Sequence, residues 1–148
     1  MFNPDVFLQS TVTEVNDTKK VPTPVGEYVA VADEVKCRPW QSKDGSQSGL
    51  ALDIIWLIDD QNVKTLLGRD KVTCKQGIML DLLENGALDM GKGKNVGLGR
   101  LREATGLNVP GQPFSPLMIQ GRVAKVKVSH RVDGEDIYDE IKAVAKLA

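Results

Sequence analysis

Residues 121–144, GRVAKVKVSHRVDGEDIYDEIKAV, decide how the chain is read. From Arg122 to Arg131 the side chains alternate: Ala124, Val126 and Val128 fall on one side, Lys125, Lys127, Ser129 and Arg131 on the other. A period of two is the signature of a strand with one buried face. Asp133-Gly134 follows at once, a dipeptide that readily adopts the positive φ angles of a tight hairpin turn. The next stretch, residues 135–144, is ambiguous on periodicity, because Ile137, Ile141 and Val144 would also suit a helix. A hairpin signal directly after a convincing strand decides for a strand.

Moving towards the N-terminus, residues Tyr28 to Trp40 alternate in the same way. Val29, Val31, Val35 and Cys37 share one face; Tyr28, Glu34, Lys36, Arg38 and Trp40 share the other. The turn-forming residues Ser42 to Gly49, with Asp44-Gly45 inside, feed a second strand from Leu50 to Ile58. Asp59-Asp60-Gln61-Asn62 is a further polar turn, and Val63 to Lys75 reads as a third strand bent near Gly68. Gly77 to Leu88 has Ile78, Leu82 and Leu83 at helical spacing, and Leu98 to Leu107 repeats the pattern with Leu98, Leu101 and Ala104 before a Gly106 stop. Pro110, Pro113 and Pro116 hold the chain extended before the fourth strand. Residues 1–25, polar and with three prolines, read as an N-terminal arm with at most one short strand. The expected domain, residues 26–148, is therefore mainly β, with the order β1-β2-β3-α-β4-β5. That is the order of a five-stranded OB barrel, in which a helix joins the third and fourth strands.

With 148 residues, 41% apolar and 26% charged, the chain can bury one core of its own. Cys37, Cys74 and the single histidine, His130, cannot build a four-ligand zinc site, and both cysteines read as small buried thiols. No apolar run approaches the roughly 20 residues of a spanning helix, and no basic-then-apolar leader opens the chain. The expectation is a soluble, intracellular protein. The net charge of −1 favours no partner, but its distribution is uneven: residues 121–131 carry four bases and no acid, residues 132–140 five acids and no base, and residues 92–102 four bases and no acid. Such segregation can make a basic groove on a neutral protein. It can equally give faces of opposite sign that pair across a hairpin.

Catalytic signatures are missing. There is no Ser-His-Asp order, no HExxH helix and no paired cysteine motif, and His130 reads as a strand-end structural residue. Residues Gly86 to Lys92 match seven positions of a P-loop, but Gly93 stands where the magnesium-binding hydroxyl belongs, and a helix-like segment precedes the loop. No enzymatic activity, metal or cofactor is expected. The loop serves either as a basic contact to a phosphate backbone or as a solvated connection.

The two tryptophans differ in phase. Trp56 shares its face with Leu50, Leu52, Ile54 and Ile58 and reads as core. Trp40 shares its face with Lys36 and Arg38, the combination on which bases stack while cations hold phosphates. The competing reading of Trp40 is a partly buried rim residue.

Three stretches carry a resemblance: Val21-Pro22-Thr23-Pro24-Val25-Gly26-Glu27-Tyr28, the turn Asp44 to Gly49 with its apolar strand, and the closing pair Gly121 to Val128 and Gly134 to Lys142. On these the chain resembles a family of small phage proteins, long carried as a domain of unknown function and read as OB-fold single-stranded DNA-binding or recombination-associated proteins. The resemblance spans most of residues 21–145 and implies the architecture and the binding class, with no catalytic residues. The expected function is non-sequence-specific binding of single-stranded nucleic acid, DNA ahead of RNA, in phage replication or recombination. Lys36, Arg38, Lys125, Lys127 and Arg131 would track phosphates, and Trp40, with Tyr28 second, would stack bases. Lys64, Arg69, Lys71, Lys92 and Lys94 are second-rank contacts. Expected partners besides the nucleic acid are replication or recombination proteins and a second copy in a homodimer, in the host-cell cytoplasm if the chain is phage-encoded. The competing class is an OB-fold protein-interaction module, a phage adaptor or an inhibitor of a host protein.

Overall fold

The computed structural model describes residues 2–147; Met1 and Ala148, the outermost residues of the expected arm and domain, lie outside them. Strands β1 (Gly26–Gln41), β2 (Ser48–Ile58), β3 (Thr73–Met79), β4 (Val123–Asp133) and β5 (Asp136–Ala145) form an antiparallel sheet in the order β3-β2-β1-β4-β5. Among the described residues three short α-helices accompany it, α1 (Pro4–Leu8), α2 (Gln61–Leu67) and α3 (Val96–Ala104), with a 3-10 turn at Pro116–Ile119. The chain is thus mainly β, and residues 136–145 are a strand, as the hairpin signal requires. The sheet coils until its edge strands β3 and β5 touch, although no ladder joins them among the described residues. No helix among those residues is long and apolar enough to cross a membrane.

The inner face of the sheet carries the core. Trp56, Leu52, Ile54 and Ile58 of β2 meet Ala124, Val126 and Val128 of β4 there, with Leu98 and Leu101 of α3 and Ile119 packed against them. The Trp56 indole N–H is satisfied by Gln76 Oε1 at 2.8 Å, so its burial strands no donor. In β1 the inward residues are Tyr28, Ala30 and Ala32 rather than the valines expected from strict alternation. The reason is a bulge: pairing with β2 skips Asp33, between Ala32 opposite Trp56 and Glu34 opposite Ile55. One extra residue reverses the phase of everything after it. Val35 therefore packs against the core, while Lys36, Arg38 and Trp40 point out.

Two expected elements are corrected. Val63 to Lys75 is not one strand: Asp60 Oδ1 accepts the Val63 N–H at 3.0 Å and starts α2, which Gly68 ends in the left-handed region at φ 64°. Strand β3 begins only at Thr73. The helix expected over Gly77 to Leu88 is instead the end of β3 followed by a loop that folds back on itself, with Leu82 bridging Leu88. The second expected helix forms as α3, with Gly106 at φ 76° just beyond it.

The arm is not free of the domain along its whole length. Residues 19–24 form a strap along the β3–β5 seam. Lys19 Nζ donates to Glu135 O at 3.0 Å, Arg69 Nη2 to Val21 O at 2.7 Å, and Thr23 N to Asp139 Oδ2 at 2.6 Å. The ring of His130 bonds Thr23 O at 2.7 Å, and the Tyr28 hydroxyl donates to Pro24 O at 2.8 Å. Thr23 is fully buried. Ahead of the strap, α1 is a single helical stretch capped by Asn3, and it buries none of its residues.

Candidate nucleic-acid interface

The outer face of the sheet holds the candidate site, and the registers place its residues. Trp40 lies opposite Gly49, Arg38 opposite Ala51 and Lys36 opposite Asp53 on β2; on β3, Met79, Gly77 and Lys75 lie opposite Ala51, Asp53 and Ile55. Cross-strand partners share a face, so these side chains share the outer one.

Trp40 lies flat on bare backbone. A Cβ placed on Gly49 would stand 3.0, 3.2 and 3.2 Å from three atoms of the indole, Nε1, Cε2 and Cζ2. Only glycine leaves room for this contact. The indole N–H is covered and has no hydrogen-bond partner among the described residues. The turn beside it is tied by Asp44, whose carboxylate accepts from the Ser42 and Ser46 hydroxyls at 2.7 Å each and from the Ser46 N–H at 3.0 Å. Those bonds hold its pKa down at about 2, the Ser46 N–H contributing most.

Asp53 is the buried acid of this face, its side chain 9% exposed. Arg38 Nε reaches its Oδ2 at 2.9 Å and Lys75 Nζ at 3.6 Å. The hydrogen bond from Arg38 lowers the Asp53 pKa against the opposing effect of burial, and the same bond raises that of Arg38. The other oxygen, Oδ1, is buried and unpartnered among the described residues.

Lys75 and Gly77 also form one wall of a cleft of about 560 Å³ between β3 and β5. Its other wall presents Arg131 from β4 with Tyr138 and Lys142 from β5. The guanidinium of Arg131 stands 4.9 Å from the centre of the Tyr138 ring. Neither a family model nor a curated protein matches the chain. The assignment therefore rests on these side chains alone.

The structure brings Trp40, Arg38 and Lys36 together, as their phase on β1 requires, but it divides the other expected residues. Tyr28 is on the opposite face: the bulge turns it inward, where burial raises its pKa and its hydroxyl is used by Pro24. It cannot stack a base beside Trp40. Lys125 and Lys127 do share the outer face, opposite Val29 and Glu27 of β1, yet Lys125 lies 3.9 Å from Glu27. Arg131 lies 3.6 Å from Glu140, and Lys36 3.3 Å from Glu34. Acids of β1 and of the β4–β5 hairpin thus offset part of the basic stripe.

Lys64 and Arg69 belong to α2 and the loop after it, where Arg69 holds the strap, and Lys71 pairs with Asp33 at 3.1 Å. Lys92 and Lys94 are exposed in the loop before α3. Asn95 pins that loop at its base by donating to Asp81 O and Asp89 O at 2.8 and 3.0 Å. Asp53, Lys75, Gly77, Tyr138 and Lys142 were missing from the sequence-based set. The visible signal was Asp53 itself, a lone acid inside the apolar run Leu50–Ile58.

Proposed function

We propose that the protein is an OB-type domain that binds single-stranded nucleic acid, DNA ahead of RNA, across the outer face of β1, β2 and β3. The strand order, the helix between β3 and β4, and the meeting of β3 with β5 support the OB reading. The observation that carries the binding reading is Trp40, held flat over Gly49 with Arg38 and Lys36 on the same face. An indole braced from behind offers its other side as a stacking platform, and the adjacent cations can meet phosphates. A setting in phage replication or recombination, which the resemblance read in the sequence implies, is part of the proposal.

The test is a titration with labelled oligonucleotides at 50 and 200 mM salt, followed also by tryptophan fluorescence. Trp40→Ala should weaken binding by about 1 to 3 kcal/mol without unfolding the domain. Gly49→Ala should do so with the indole still present, because its new Cβ would displace the ring. Binding should weaken with salt by roughly 0.7 log units per tenfold change for each phosphate contact. Fluorescence that does not respond to saturating oligonucleotide would end the stacking assignment.

A second reading, a protein-interaction module, is favoured by the exposed outer-face valines Val29 and Val123 and by the bare Phe2, Val6, Phe7 and Leu8 of the arm. It predicts a partner whose affinity scarcely responds to salt.

A further inference from the structure

Three features meet at the edge of the β3–β5 cleft. A carboxylate oxygen, Asp53 Oδ1, is buried and unpartnered among the described residues, whereas its twin Oδ2 is held by Arg38 and Lys75. The residue facing Oδ1 is Gly77: a Cβ built there would stand 3.5 Å from that oxygen, and glycine leaves the position empty. Gly77 and Lys75 in turn line the cleft of about 560 Å³, which also presents Tyr138, Arg131 and Lys142, together with Glu140, paired with Arg131, and Asp139, held by the strap. A buried acceptor without a donor is costly, and such costs persist where a ligand supplies the donor. Asp53 itself does not line the cleft, so access to Oδ1 requires a shift of a neighbouring side chain. The half-exposed Lys75 reaches Oδ2 only at 3.6 Å.

We propose that this cleft is a base-reading subsite in which Lys75 shifts aside and Asp53 Oδ1 accepts a hydrogen bond from the exocyclic amino group of cytosine, adenine or guanine. The proposal rests on the nucleic-acid reading above and sharpens it: binding is tolerant at Trp40 and selective at Asp53. A carboxylate is an acceptor only, so it pairs well with an amino group, whereas thymine and uracil offer it only the N3–H, flanked by two carbonyl oxygens that repel it. The cleft volume lies in the range that holds a small ligand. Arg38 and Lys75 keep Asp53 ionised and offset its repulsion of phosphates, while Arg131 and Lys142 stand on the far wall for the backbone. Gly49 and Asp53 are four residues apart on β2, about 13 Å along a strand. The base read by Asp53 therefore belongs to a different nucleotide from the one stacked on Trp40.

The experiment compares 12-nucleotide homopolymers of deoxycytidine, deoxyuridine and thymidine at pH 7.5, with deoxyuridine controlling for the thymine methyl. Wild type should bind the deoxycytidine oligomer about tenfold more tightly than either of the others, in line with one base-edge contact. Asp53→Asn, which keeps the shape but exchanges an acceptor-only group for an amide, should bring the three affinities together. If that variant unfolds, Gly77→Ala serves instead. Its φ is not positive, and its methyl group would fill the notch over Oδ1 at ordinary contact distance. Equal affinities of wild type for all three oligomers overturn the base-reading subsite and leave general binding standing. Failure to bind any oligomer overturns both.

Discussion

Cys37 and Cys74 look alike in the sequence and differ in the fold. Cys74 is buried beneath the strap, 3.5 Å from the Thr23 hydroxyl, and burial pushes its pKa up to about 11. Cys37 is exposed, although its phase points inward, because β1 loses its β4 neighbour after Val31 and the inner side lies open there. The expectation of two buried thiols thus holds for one. A thiol-specific disulfide reagent at pH 8 should titrate Cys37 rapidly in the native protein and both cysteines in guanidinium, since only the thiolate reacts. The raised pKa also fixes a sign. The thiol of the unfolded chain ionises from 9.0 upward while the folded one stays neutral to about 11, so this contribution to stability is intact below pH 9 and is lost as pH rises through that window. Rapid native modification of both cysteines would show that the strap does not cover Cys74.

At the scale of elements, α2 tests how local signals compete. Asp60→Ala removes the acceptor for the Val63 N–H and should cost about 1 kcal/mol in urea unfolding with the slope unchanged. An unaffected midpoint would mean that the packing of Val63 alone holds the helix. Its signals stood in the sequence: Asp60 as cap, Val63 and Leu67 on one side, and Gly68 as stop. They were outweighed because the apolar residues of 63–75 run on into a real strand, and seven residues are too few to establish a helical period. The β4–β5 hairpin was legible because alternation and turn chemistry agreed there. The bulge at Asp33 was not, since nothing local distinguishes it from regular alternation. That one residue decided which half of β1 belonged with the candidate site. Trp40, Lys36 and Arg38 were found by phase after the bulge, and Tyr28 was misplaced by extending the phase across it.

For the whole molecule, the strap is the feature that composition concealed. Residues 1–25 read as an arm with at most one short strand because prolines and polar residues suppress any period, yet residues 19–24 hold three strands, the β4–β5 turn and the loop after α2 together through the contacts of Lys19, Val21, Thr23 and Pro24. Removing residues 2–18 should leave the thermal midpoint unchanged. Removing residues 2–24 should lower it by about 5 °C or more, because Asp139 and the His130 ring lose their partners and Cys74 is uncovered. The cleft residues Lys75, Tyr138 and Lys142 were illegible for a similar reason. They come from β3 and β5, strands that no hairpin joins, and their meeting is set by how far the sheet coils.

The strap also imposes an order on synthesis. Lys19 and Glu135 are 116 residues apart, as are Thr23 and Asp139. The strap residues therefore leave the ribosome well ahead of these partners, which exist only after a further 116 residues have been made. During that interval Cys74 and the β3 edge stay uncovered, so the nascent chain passes through a stage with an open strand edge, the state most prone to pair with a neighbour. The last fastening is made by residues synthesised long before their partners, and closure over so long a span is the slow, entropy-limited kind.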